Sequence, residues 1–110
     1  MFCVRLELTW RIDQDLLAHF FKGKWMPLPY VYNSLKTLRI IHPSLWRDEH
    51  VRCLHYILDD KPWMRPHGTG GDYETVNGWW WDQYDAMTGR IKESHPESLA
   101  LIEAHVAERK

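Results

Sequence analysis

Two groups of polar residues in this 110-residue chain have types and spacing that suit chemistry on a charged substrate. Asp13 and Gln14 open a segment, DQDLLAHFFK, whose apolar residues recur with helical spacing. His55 lies in an apolar run and is followed by Lys61-Pro62-Trp63. An imidazole can bind a divalent cation, and a lysine in the next loop can supply positive charge for phosphate. The second group therefore predicts a site for a metal-bound diphosphate.

Each group also has a purely structural interpretation. Carboxylates at a helix N-terminus cap free N–H groups and interact with the helix dipole, so Asp13 could serve the helix alone. His55 could be a hydrogen-bonded core residue, and Lys61 could simply be solvated. For both to meet one diphosphate, the intervening chain must fold back, because six extended residues span about 20 Å. Pro62 favours such a turn.

The composition sets the broad class of the protein. Hydrophobic residues make up 45% and charged residues 26% of the chain, as in globular proteins. The formal net charge of −1 gives no general attraction to nucleic acid. Cys3 and Cys53 are too few for a disulfide scaffold. Arg5, Glu7 and Arg11 interrupt any signal sequence, and no stretch approaches the roughly 20 apolar residues of a membrane span. We therefore expect a cytoplasmic protein.

The elements that must position these residues are a few strands and several helices. In chain order we predict a helix over 13–22 capped by Asp13 and ended by Gly23, strands over 35–41 and 51–58, a flexible loop over 67–72, a helix over 73–87, and a last helix that starts at a Ser94–Glu97 capping box and runs to the C-terminus. The pattern indicates an α/β fold whose end is mainly helical.

Seven tryptophans are many for a chain of this length, and they either fill a core or line a surface for a sugar or a base. Three of them are consecutive, at 79–81. Neighbours on a helix point about 100° apart, so these three cannot share one face. We expect Trp80 to pack inward with Val76 and Tyr84, and at least one of the other two to be exposed.

The two predicted strands lack a hairpin turn between them. Strands of this kind need sheet neighbours, and this chain supplies few. We therefore expect exposed strand edges, with self-association as a consequence, and strands of the same sheet in sequence that is missing here.

Four segments, which occur in the family's order along the chain, resemble segments of glycosyltransferase family 8, which includes glycogenin and galactinol synthase. Residues 55–63 resemble the family's H-x-x-G-x-x-K-P-W segment, and residues 13–18 resemble its D-Q-x-x-L-N segment. Residues 28–33 are similar to L-P-x-x-Y-N, and residues 79–84 to the aromatic W-W-x-x-Y helix of galactinol-synthase-like and fungal members.

The resemblance implies an activity and a role for each matched residue. The implied enzyme transfers a hexose from a UDP-sugar to a hydroxyl acceptor with retention, on a GT-A fold, which is a Rossmann-like α/β sandwich. His55 takes the place of a Mn²⁺ ligand, and Lys61 takes the place of the lysine that binds the diphosphate. Asp13 and Gln14 match the pair that lies beside the transferred sugar. A donor and an acceptor are the implied partners, and their identities stay open.

The chain departs from the family pattern in three respects. Leu58 stands where the family usually has glycine, and Ala18 replaces the asparagine of D-Q-x-x-L-N. The D-x-D motif, which supplies the other metal ligands in the family, would precede Asp13 by many residues. Without it, we expect this chain to be inactive alone.

These observations lead to a division of the chain and to two functional hypotheses. We interpret residues 1–12 as an unmatched segment, 13–87 as the C-terminal part of a glycosyltransferase domain and 88–110 as a C-terminal helix. The first hypothesis is an incomplete glycosyltransferase. The alternative is a non-catalytic remnant that binds a carbohydrate or a partner through its tryptophan-rich helix.

Overall fold

The structure, a computed structural model, describes residues 12–107, with side chains from Asp13 onward. Its helices and strands in chain order are α1 (Ile12–Phe20), β1 (Ser34–Leu35), α2 (Leu38–Ile41), β2 (Leu54–His55), α3 (Glu74–Ile91) and α4 (Pro96–Glu103). Short 3₁₀ helices cover Tyr30–Tyr32, Asp48–His50, Pro62–Met64 and Gly71–Tyr73. The predicted combination of few strands with helices at the end is confirmed.

The sheet of the described residues consists of two short parallel strands. Ser34 lies opposite Leu54, and Leu35 lies opposite His55. The predicted strands over 35–41 and 51–58 were therefore wrong in extent. A strand needs a neighbour for its backbone groups, whereas a helical turn satisfies its own, and residues 38–41 accordingly form α2.

The first helix begins one residue earlier than predicted. Asp13 therefore lies inside the first turn of α1 and is not its N-cap. The helix ends at Phe20, and a turn follows in which Gly23 has a φ of +77°. Only glycine adopts this left-handed conformation without steric cost, so Gly23 suits the turn after the helix, but the helix itself ends two residues before its predicted end at 22.

The core of the described region forms around α3. This helix extends one turn beyond its predicted end, so the division at 87/88 falls inside it. Trp81 is 1% exposed, whereas Trp79 and Trp80 are half-buried. The prediction that Trp80 is the buried member and that another is exposed was wrong. Trp81 lies four residues after the buried Asn77 and so shares its face of the helix.

Trp80 has a different environment on the same helix. Its ring stacks on Tyr84 at 5.1 Å with an interplanar angle of 16°, which confirms that pairing. It also contacts Trp63 at 5.7 Å between ring centroids. Trp80 thus joins α3 to the Pro62–Met64 turn.

The loop before α3 is more ordered than its glycines suggested. The Glu74 carboxylate accepts the backbone N–H groups of Gly68 and Gly70 at 2.8 and 2.7 Å. A Cβ at Gly70 would lie 2.7 Å from the Asn77 amide nitrogen and 2.8 Å from the Glu74 carboxylate, so a larger residue would displace these side chains. The prediction of a flexible loop over 67–72 therefore missed this anchor.

The predicted capping box of the last helix is wrong. α4 begins at Pro96, with His95 as its N-cap, and the Ser94 hydroxyl contacts His95 Nδ1 at 2.8 Å instead of a helix N–H. Proline suits the first helical position because its φ is already helical and it lacks an N–H. The helix ends at Glu103, short of the described terminus. In residues 12–107 no helix is both long and apolar enough to cross a membrane.

Candidate functional site

His55 lies at the end of β2 with an exposed side chain. Its Nδ1 is 3.1 Å from the Asn33 side-chain oxygen. An amide oxygen only accepts hydrogen bonds, so Nδ1 is the donor in this contact, and Nε2 is the ring nitrogen left for another partner. Metal-binding histidines commonly have this arrangement, in which one ring nitrogen donates to an oxygen and the other faces the metal.

Because its side-chain oxygen contacts His55 Nδ1, Asn33 is a candidate site residue, one that was not predicted from the sequence. It lies between the Tyr30–Tyr32 turn and β1, and the pairing of Ser34 with Leu54 brings it beside His55. Its position at the end of the L-P-x-x-Y-N segment was the available signal. The role became visible only when the strand register was known.

The chain between His55 and Lys61 folds back, as predicted. The Lys61 ammonium donates to the Tyr56 carbonyl oxygen at 2.5 Å, and the Ile57 N–H donates to the His55 carbonyl at 2.9 Å. The turn therefore brings Lys61 to the residue that follows His55. In this conformation the ammonium is bound to backbone, so it must turn outward to meet an anion.

Leu58 enables this turn with an unfavourable backbone. Its φ is +72°, and it is the one residue other than glycine with positive φ in the described part of the chain. Left-handed backbone brings the Cβ of an L-residue too close to the following carbonyl oxygen. This left-handed conformation explains why the H-x-x-G-x-x-K-P-W pattern has glycine at the position of Leu58.

Residues after Lys61 anchor the turn to the core. Pro62 is fully buried, and Trp63 packs on Trp80 of α3. Tyr56, on the other side of the turn, donates its hydroxyl to the Val76 carbonyl at 2.5 Å. Burial raises the pKa of Tyr56 to about 12, so this phenol stays neutral at physiological pH. The turn that carries Lys61 is therefore packed against α3 on both sides.

Asp13 and Gln14 are not brought to this turn in the described residues. Both lie exposed in the first turn of α1. The hydrogen bonds and ring contacts of α1 and residues 21–25 stay within that segment. The structure therefore places Asn33 beside the His55 ring and the Lys61 ammonium on the Tyr56 carbonyl, and it leaves the predicted sugar-side pair separate from both.

The residues present fit a divalent cation only in part. His55 offers an oriented imidazole, yet residues 12–107 contain no group of three His, Cys, Asp or Glu side chains placed to hold a metal ion. A cation bound by one imidazole would need further ligands from elsewhere.

Comparison with known proteins gives one consistent group of relatives. No protein-family model and no solved structure matches the chain. Galactinol synthase 1 of Solanum lycopersicum is 31% identical over 81 residues, which cover 69% of this chain and 26% of that protein. Galactinol synthase 4 of Arabidopsis thaliana is 31% identical over 89 residues, 76% of this chain and 27% of its own length.

A third relative, galactinol synthase 1 of Ajuga reptans, is 28% identical over 105 residues, which cover 82% of this chain and 32% of that protein. The chain thus spans about a quarter to a third of the length of these curated relatives. The resemblance to glycosyltransferase family 8 is confirmed, and over its matched residues this chain is galactinol synthase-like.

Proposed function

We propose that this chain is the C-terminal part of a GT-A glycosyltransferase that transfers a hexose from a UDP-sugar to a hydroxyl acceptor with retention. One observation carries the proposal. Within the segment that resembles H-x-x-G-x-x-K-P-W, the turn returns Lys61 to the residue after His55, while the Asn33 side-chain oxygen lies 3.1 Å from His55 Nδ1 and so leaves Nε2 for another partner. A ligand for a cation and a cation for phosphate thus stand on one turn.

Each residue has a stated role in this proposal. His55 would bind a divalent cation, Mn²⁺, through Nε2, and the remaining ligands would come from a D-x-D segment outside the described residues. When bound, such a cation stabilises negative charge on the departing diphosphate. Lys61 leaves the Tyr56 carbonyl and neutralises part of the same charge. Asp13 and Gln14 lie beside the transferred sugar once the rest of the domain is present.

The proposal implies that this chain alone is nearly inactive. Its described residues contain no group of three His, Cys, Asp or Glu side chains that could hold a metal ion, and the proposed nucleotide-binding half is not among them. We expect the purified chain to show negligible sugar transfer or UDP-sugar hydrolysis. Turnover of UDP-glucose or UDP-galactose that a chelator abolishes would contradict this expectation.

A titration of the isotopically labelled chain with UDP and Mn²⁺ tests the proposed site. Paramagnetic Mn²⁺ should selectively broaden the signals of Asn33, His55 and Lys61, and His55→Ala should remove the effect. His50→Ala is the matched control, because the His50 side chain is also exposed and has, among the described residues, no asparagine partner like that of His55. Broadening that persists in His55→Ala, or that spreads evenly over all histidines, would exclude His55 from the site.

A second function, carbohydrate binding without catalysis, is favoured by one cavity. A space of about 420 Å³ lies between α3 and the α4 segment, lined by Trp81, Tyr84, Asp85, Thr88, Glu103, Val106 and Ala107. Aromatic rings beside polar groups form the usual lining of small-molecule sites. Binding of a free hexose that Glu103→Gln weakens and His55→Ala leaves unchanged would support this alternative.

A further inference from the structure

Lys36 is a buried cation that the proposed chemistry does not use. It follows β1 directly, and its side chain is 1% exposed. Burial lowers the pKa of Lys36; the Asp60 carboxylate opposes this effect, and Lys61 and Arg65 add to it. Removing an ammonium group from water is strongly unfavourable unless specific contacts compensate. Its contacts therefore indicate what the side chain does.

These contacts join three segments of the chain. The Lys36 ammonium donates to the Asp60 backbone carbonyl and lies 4.6 Å from the centre of the Tyr73 ring. Its backbone N–H donates to the His55 carbonyl at 3.1 Å. One residue thus connects the end of β2, the turn after it and the residue that precedes α3. A cation over an aromatic face and a charged donor on a carbonyl are both stronger when shielded from water.

From these contacts we propose that Lys36 is a positioning residue, which holds the turn that carries Lys61 at a fixed place relative to His55. Asp60 directly precedes Lys61, so the carbonyl that Lys36 binds fixes where the Lys61 side chain begins. The proposal rests on the proposed function in one respect, which is that Lys61 meets a diphosphate. Lys36 itself is buried and acts through the backbone.

The other restraint on Asp60 is weaker. Arg65 forms an ion pair with the Asp60 carboxylate at 2.6 Å, with the two side chains 52% and 40% exposed. Solvent-exposed ion pairs of this kind contribute little to stability, because water and salt screen them. The buried contact from Lys36 is therefore the main restraint on the Asp60 backbone.

Amide hydrogen exchange of the full chain tests the restraint directly. Lys36→Met keeps the apolar length of the side chain and removes the donor. We expect exchange to become about tenfold faster at Ile57 and Met64, whose N–H groups bond within the turn, because a charged hydrogen bond is lost. His95, whose N–H bonds to the Ile91 carbonyl, should be unaffected. Lys92→Met, which alters an exposed lysine, is the control.

A conservative variant and a ligand separate positioning from general stability. Lys36→Arg keeps a charged donor and should restore most of the protection. Inorganic pyrophosphate is the probe for Lys61, and Lys36→Met should weaken its binding about tenfold although Lys36 cannot touch it, since one charged hydrogen bond restrains the turn. If the unaltered chain does not bind pyrophosphate, the proposed role of Lys61 fails, and the exchange result still decides the role of Lys36.

A second pair of variants applies if Lys36→Met does not fold. Tyr73→Leu removes the ring beneath the ammonium, whereas Tyr73→Phe keeps it. We expect faster exchange at Met64 in the leucine variant and no change in the phenylalanine variant. Unchanged exchange at Ile57 and Met64 in a folded Lys36→Met, or equal acceleration at His95, would overturn the proposal, as would identical behaviour of the two Tyr73 variants.

Discussion

At the scale of single residues, the turn after β2 combines a favourable and an unfavourable feature. Lys61 closes it with a hydrogen bond to the Tyr56 carbonyl, while Leu58 adopts a φ of +72° to allow it. Left-handed backbone costs an L-residue about 1–2 kcal/mol. The Leu58 side chain is 57% exposed, so its packing returns little of that free energy.

We therefore predict that Leu58→Gly stabilises the folded chain. The gain should be about 0.5–1 kcal/mol, because relief of the left-handed strain exceeds the extra entropy that glycine gives the unfolded state. The midpoint of urea unfolding measures it. Leu45→Gly is the matched control, since Leu45 is similarly exposed and lacks positive φ, and it should lose stability. Equal losses of stability in both variants would contradict the inferred backbone strain at Leu58.

A second residue-scale prediction concerns alkaline pH. Burial raises the pKa of Tyr56 to about 12, against about 10 in an unfolded chain. The folded state thus favours the neutral phenol, so its contribution to stability is full below pH of about 10 and falls as the pH rises toward about 12. Tyr56→Phe should flatten that fall between these pH values in urea unfolding. Tyr84, whose pKa is also raised by burial, should leave a smaller residual slope.

At the scale of elements, α3 determines the stability of the described region. Trp81→Ala should cost about 3–5 kcal/mol, because it removes a large buried ring from the core. Trp79→Ala should cost less, since Trp79 is half-buried. The near-ultraviolet circular dichroism of each variant, followed during unfolding, measures the difference. A larger loss for Trp79→Ala than for Trp81→Ala would contradict the packing around α3.

The sequence predicts some elements well and others poorly, for physical reasons. Its helical periodicity and glycine punctuation located α1 and α3, since these are local properties of the chain. The lengths of the predicted strands over 35–41 and 51–58 were wrong, because a strand depends on neighbouring strands. The apolar residues of α2 lack such neighbours and form a helical turn instead. The contacts of Asn33 and Lys36 depend on the pairing of β1 with β2, which no local pattern specifies.

At the scale of the whole molecule, the described chain does not close around one core. Its radius of gyration is 18.7 Å, whereas a compact chain of this length has about 13 Å. Large apolar side chains at α1 and the following loop are exposed, among them Leu16, Leu17, Phe20, Trp25, Met26 and Leu28. Apolar surface of this extent marks a binding interface or a tendency to aggregate.

We therefore predict that the isolated chain is marginally stable and self-associates. This surface, more than the two-residue strand edges, should drive the association. Replacement of Met26 and Leu28 by serine should lower the sedimentation coefficient at high protein concentration and leave the unfolding midpoint nearly unchanged, because both side chains are exposed. Leu101→Ser, on α4, is the control. A monomer with a cooperative, high thermal midpoint would contradict this prediction.

The central claim is that His55 and Lys61 act together on a metal-bound diphosphate in a glycosyltransferase. A chimera tests it, in which this chain replaces the matching segment of galactinol synthase 1 of Solanum lycopersicum, a relative that is 31% identical. The measurement is galactinol formation against Mn²⁺ concentration for the chimera, its His55→Ala variant and its Lys61→Ala variant. Each variant should lose about 2–4 kcal/mol of transition-state stabilisation, as for removal of one electrostatic donor.

The two variants should differ in kind. His55→Ala should raise the Mn²⁺ concentration needed for activity, whereas Lys61→Ala should lower turnover and affinity for UDP with little change in metal demand. Lys22→Ala, which alters an exposed lysine after α1, serves as the control and should behave as the unaltered chimera. An Mn²⁺ curve for His55→Ala that coincides with that of the unaltered chimera would remove His55 from the site and contradict the account.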